Sequence, residues 1–188
     1  MKAAISLVAV GLSLSFAIAQ EPPKAPGADP NIRPAGDVTL KFERKIEVPE
    51  IKRFEGGVLE LFPGDTVHLE FENDGGKLVR PRVVEEVKEP TRTITFAMTQ
   101  DASTTMLSRN TKIQQTVAMD CTHRAIGSEE FSPTNLNPTE KGLSAFDSWP
   151  NSVWMLRLSK IEVTSESAAE VYEERASKNS GKKKSGGN

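Results

Sequence analysis

Between Asp37 and Thr164 apolar and polar residues alternate with a period of two, the signature of half-buried β-strands. Val38, Leu40 and Phe42 fall on one face and Thr39, Lys41 and Glu43 on the other; the alternation resumes at Ile46 and Val48 until Pro49 stops it. Val58–Phe62 reads as a second strand, and Pro63-Gly64-Asp65-Thr66 as the turn after it. Val67, Leu69 and Phe71 then oppose His68, Glu70 and Glu72, and Asn73-Asp74-Gly75-Gly76 predicts a tight hairpin turn. Val79, Val83 and Val87 continue one face, with Arg80 and Arg82 on the other. Further strands are expected at Ile94, Phe96 and Met98, at Ile113 to Cys121, and at Ser152 to Val163. In the last, the apolar phase shifts between Leu158 and Ile161, which marks a bulge.

No convincing helix interrupts this series. The expectation is an all-β fold: an antiparallel two-sheet sandwich of immunoglobulin-like type, about seven strands, with a short C-terminal helix. Ser167-Ala168-Ala169-Glu170 matches the S-x-x-E capping box and starts that helix, expected from Ala168 to about Lys178. Its apolar stripe is Ala168, Val171, Tyr172 and Ala176. Residues 122–151 lack strand periodicity and are rich in Ser, Pro, Asn and Gly, so they are expected as one long loop. The loop carries Phe131, Leu136, Leu143, Phe146 and Trp149. Phe146 and Trp149 are the candidate ligand-binding residues, against the plainer reading that they plug one end of the core.

The ends differ from the middle. Met-Lys, an apolar run of about 15 residues and Ala17-Ile18-Ala19 describe a cleavable signal peptide over 1–19, since a membrane span needs about 20. Residues 20–36, QEPPKAPGADPNIRPAG, read as a disordered Pro-rich linker, 37–164 as the sandwich domain, and 165–188 as the helix and a basic tail. The mature chain is therefore expected outside the cytoplasm, periplasmic or extracellular, with no membrane span. With 188 residues, 24 Lys+Arg against 26 Asp+Glu and a net charge of −2, the chain suits one domain and shows no attraction to nucleic acid. A single cysteine excludes a disulfide framework and any multi-cysteine metal site.

The sharpest chemical constellation is Met119-Asp120-Cys121-Thr122-His123. On a strand, Met119, Cys121 and His123 share a face with neighbours roughly 7 Å apart, and thioether, thiolate and imidazole suit copper. A sandwich holding these residues, with the Pro63–Val67 turn and strand, loosely resembles the cupredoxins. The C-x-H spacing departs from that family, whose histidine follows the cysteine by several residues, and His68 precedes Asn73 and faces outward. The family's copper site is therefore not carried over, and Cys121 reads first as a small buried hydrophobe. Catalytic patterns are absent: no nucleophile elbow, P-loop, HExxH or EF-hand, and Glu85-Glu86 and Glu129-Glu130 point to opposite faces of a strand. The sequence thus points to a non-catalytic binding module recognising a protein or glycan through residues 122–151, with no cofactor. The alternative is a cupredoxin-like protein holding copper or zinc with Cys121 and His123, assisted by Met119 or His68.

Overall fold

The structure is a computed structural model that describes residues 27–40, 44–101, 104–150 and 152–184. The expected signal peptide lies outside the described residues. Among the described residues fourteen strands follow in order: β1 (Ile32–Arg33), β2 (Gly36–Leu40), β3 (Arg44–Val48), β4 (Ile51–Lys52), β5 (Phe54–Glu55), β6 (Val58–Leu61), β7 (Thr66–Asp74), β8 (Lys77–Val84), β9 (Thr93–Gln100), β10 (Thr105–Thr111), β11 (Thr116–Ala125), β12 (Ser132–Thr134), β13 (Ser144–Trp149) and β14 (Val153–Thr164). Helix α1 spans Ala168–Lys184.

Two five-stranded antiparallel sheets dominate, one ordered β13-β10-β9-β7-β8 and the other β12-β11-β14-β6-β5. Their inner faces share one apolar core: Val67, Leu69 and Phe96 from the first sheet pack with Leu59, Val117 and Leu158 from the second. The alternation read in the sequence is what fills it, because period-two side chains alternate between core and solvent. The phase shift in the last strand is a bulge, where two residues of β14, Lys160 and Ile161, oppose one of β11, Met119. Lys160 there has φ of 49°, a left-handed conformation that re-aims the strand.

Several elements depart from the sequence reading. The alternation from Val38 to Val48 belongs to two strands paired with each other, with Val38 opposite Ile46. This hairpin covers a second small core of Val38, Leu40, Val48, Phe62 and Met155. Residues 27–36, expected as part of a disordered linker, are built in: β1 pairs with β4, and the Asn31 amide exchanges two hydrogen bonds with the Phe54 backbone. Buried Arg33 bonds Asp65, whose other oxygen meets Arg53 and accepts from the Phe62 backbone N–H. Asp65, in the turn read as Pro63–Thr66, thus ties the N-terminal segment to the sandwich.

Residues 122–151 are not one loop. β11 runs on to Ala125, and β12 and β13 lie inside the segment. β10 was not foreseen either. Both β10 and β13 escape the hydrophobic pattern for one reason. The inward positions of β10 are Thr105, Leu107, Arg109 and Thr111, and those of β13 are Ala145, Asp147 and Trp149. Arg109 is fully buried. Its guanidinium pairs with Asp147 and donates to the Asn137 carbonyl (2.6 Å) and the Thr139 hydroxyl (3.0 Å), while Nε has no hydrogen-bond partner among the described residues. These bonds pull 137–139 across the end of the sandwich, where Thr139 bridges Val117.

The helix forms as its capping box predicts: Glu170 accepts from the Ser167 N–H and hydroxyl, and the Ser167 hydroxyl accepts from the Glu170 N–H. It runs past the expected end at Lys178. It docks through buried Val171 and through Arg175, which donates to the Met119 carbonyl and to Asp120, while Tyr172 is exposed.

The Arg109–Asp147 pair gives the fold its sharpest test. Replacing Arg109 by Met alone strands a buried carboxylate and is expected to cost about 3–5 kcal/mol in denaturant unfolding. Adding Asp147→Leu is expected to recover most of that loss, because removing both partners leaves no buried charge.

Candidate functional site

The outer faces of the two sheets are chemically unlike. On the second sheet, Arg157 stacks 3.9 Å from the Phe131 ring centroid, and Arg124 lies 4.9 Å from Trp154 and 6.0 Å from Phe131. Trp154 in turn meets Phe62 at 5.8 Å, and Arg33 lies over the Phe62 ring at 4.9 Å. This chain of cations and rings holds residues 126–131 and the β2–β3 hairpin on that face. Its charges are occupied, Arg157 with Glu60 and Arg124 with the Ser128 carbonyl.

The first sheet presents the opposite surface. The register fixes which side chains point outward, since the inward ones fill the core. On β13 these are Ser144, Phe146 and Ser148; on β10, Met106, Ser108 and Asn110; on β9, Thr95, Ala97 and Thr99. None carries a charge, although 27% of the chain is Asp, Glu, Lys or Arg. Charge returns on β7 and β8, where Glu70 binds Arg82 and Arg92. Phe146 is 65% exposed, and Met106, its diagonal neighbour across the β10–β13 ladder, is 40% exposed. Leu143, just before the strand, is 57% exposed. A depression of about 250 Å³ lies at one end of the face, bordered by Thr95, Asn110, Ser144, Val87 and Pro90 and, just past the end of β10, by Lys112.

His68 lies next to this surface, outward from β7 and opposite Thr95, with Nδ1 2.8 Å from the Thr95 hydroxyl. Partial burial pulls its pKa below the usual histidine value. A second depression of about 270 Å³ runs from His68 to Arg33 and Arg53 under Ile32 and Pro34. The Asp65 cluster already engages both of those arginines.

Of the residues singled out in the sequence, Phe146 is on the exposed face and Trp149 is not. They are three apart on one strand, so they point to opposite sides. Trp149 is 8% exposed, packs in the core and donates its indole N–H to the Thr134 hydroxyl at 3.1 Å, tying β13 to β12. The pair forms no common aromatic surface.

Cys121 and His123 both point inward from β11, opposite Leu158 and Leu156. His68 sits on the outer face of the other sheet and cannot join them. Among the described residues no three His, Cys, Asp or Glu side chains gather where they could hold a metal. Burial pushes the Cys121 thiol up to about 12, Asp147 raising it further and Arg109 opposing. A metal-binding thiolate is therefore disfavoured at this position. His123 Nδ1 is buried with no hydrogen-bond partner among the described residues. No helix among the described residues is long and apolar enough to cross a membrane. No protein-family model, no curated protein and no solved structure matches this chain.

The uncharged face was missed in the sequence because it depends on register. The residues come from three strands, two of them unrecognised, and only their alignment shows that every outward position is neutral. The one signal available was Phe146 standing between two serines.

The raised Cys121 pKa fixes a pH dependence. The unfolded thiol releases its proton near 9 and the folded one only near 12, so the folded state holds more protons between those values. This contribution to stability is complete below pH 9 and falls as pH rises toward 12. A disulfide-exchange reagent at pH 8 is expected to label Cys121 only after denaturant is added; fast labelling of the native protein would contradict the burial.

Proposed function

We propose that the protein is an exported, non-catalytic binding module whose uncharged outer face takes a neutral polyhydroxylated ligand, a glycan chain. The observation that carries this reading is the run of nine neutral outward positions on β13, β10 and β9 around an exposed phenylalanine. An exposed apolar ring costs solvation free energy unless something covers it. The flat face of Phe146 suits the apolar face of a pyranose ring. The flanking Ser, Thr and Asn side chains supply donors and acceptors for sugar hydroxyls. A neutral face avoids the desolvation that buried Lys, Arg, Asp or Glu would require. Sheet strands also hold such groups in fixed positions, so little ordering is needed on binding.

Residues 122–151 keep their part in this reading, because they contribute Phe146 and the two flanking serines. Export rests on the N-terminal Met-Lys, apolar run and Ala17-Ile18-Ala19, and an exported module meets glycans outside the cytoplasm. The immunoglobulin-like description belongs here too, in the loose sense of two antiparallel sheets closed on one core.

Retention on a panel of insoluble neutral polysaccharides, followed by calorimetry with soluble fragments of any that bind, tests the function. Binding is expected, and Phe146→Ala should weaken it about tenfold or more, as truncation of a central aromatic contact does. Tyr172→Ala, an equally conservative loss on the distant helix, should leave binding unchanged. Absence of binding to every neutral glycan, or full affinity in Phe146→Ala, would remove the proposal.

A further inference from the structure

The two sheets have four edge strands, and the sequence treats them unequally. β5 is two residues long, and β12 is three residues with Pro133 at its centre. β8 carries Lys77, Arg80, Pro81 and Arg82, a register shift against β7, and a left-handed Arg80 with φ of 46°. Short strands, prolines, charges and bulges are the devices that keep a sheet edge from pairing with another chain. Of these β13 has only a single charge. Its sequence, Ser-Ala-Phe-Asp-Ser-Trp, contains no Lys, Arg or Pro, and its one charge, Asp147, points inward to Arg109. Its outer edge has no strand neighbour among the described residues.

We infer that β13 is a dimerisation edge, pairing antiparallel with β13 of a second copy about a two-fold axis at Phe146. The strand selects this register itself. Opposed residues must share a face, so the axis can pass only through a residue and not between two. An axis at Asp147 would set two carboxylates against each other on the inner side, which is destabilising. An axis at Phe146 places Phe146 beside its own copy, Ser144 opposite Ser148 of the second copy, and Ala145 opposite Asp147 of the second copy. Aromatic cross-strand pairs are among the favourable ones. Leu143 comes opposite Trp149 of the second copy, which brings another exposed apolar side chain to the seam. An isologous contact of this kind closes at two chains and does not propagate, because the opposite edge, β8, is blocked. The two sheets would join into one of ten strands, with the neutral faces continuous across the seam.

Sedimentation equilibrium of the mature protein tests the inference without reference to any ligand. The wild type is expected to approach twice the monomer mass as concentration rises. Ser144→Lys with Ser148→Lys sets like charges opposite each other at both ends of the seam and is expected to give a monomer. Ser144→Lys with Ser148→Glu sets Lys against Glu in the same register and is expected to stay dimeric. Both changes are on exposed positions, and unchanged melting profiles confirm that the variants fold. Phe146→Cys in a Cys121→Ser background should cross-link to a covalent dimer on mild oxidation. A monomeric wild type, a dimeric double-lysine variant, or a monomeric Lys/Glu variant would each overturn the inference.

Discussion

The buried guanidinium of Arg109 sets the terms for one half of the molecule. A cation with no exposed surface must be neutralised and hydrogen-bonded where it stands. Its partners come from two separate stretches: Asp147 on β13, and the Asn137 carbonyl and Thr139 hydroxyl of the segment before it. Satisfying one side chain therefore fixes the position of the edge strand, the path of the segment before it, and the closure of the sandwich end at Val117. Burial lowers the arginine's own pKa and Asp147 counters it, so the pair is held together by mutual need. Burial first, and the same carboxylate second, raise the pKa of Cys121 beside the pair.

A second buried carboxylate plays a matching role. Asp65 receives Arg33, Arg53 and a backbone N–H, and so joins the N-terminal segment, the β4–β5 region and the turn into β7. Around it lies the small apolar core under the β2–β3 hairpin. From there, stacked rings and guanidinium groups lead across the outer face of the second sheet to Arg157. Charge thus has structural work inside the protein and on the outer face of the second sheet, and is absent from the outward positions of β13, β10 and β9.

That absence is what makes the first sheet a candidate for recognition. Phe146 and Met106 stand among small hydroxyl and amide side chains, with no charged residue at the outward positions of β13, β10 or β9. The single aromatic is exposed because its neighbours in sequence, Ala145 and Asp147, take the inward positions that close on Trp149 and Arg109. The buried ion pair and the outward ring are consequences of the same strand alternation. An edge strand without charge on its outward side follows from it as well.

Most of the sheet architecture was legible along the chain. Val67, Leu69 and Phe71 declared their strand, Asn73–Gly76 its turn, the shift after Leu158 its bulge, and Ser167 and Glu170 the start of the helix. Each is a local rule: side-chain alternation, turn chemistry or capping acts within a few residues, and composition records it directly. Tertiary structure alone decided what those rules cannot encode. Arg109 and Asp147 are 38 residues apart, and until they meet each reads as a polar residue that breaks an apolar face. With them were hidden β10, β13, the burial of Trp149 and the neutrality of the face around Phe146. Likewise Asp65 looked like a turn residue until Arg33, 32 positions earlier, was brought against it. Hydrophobic burial is written in single residues, whereas a buried charge is stable only with its partner, and the partner is set by the fold.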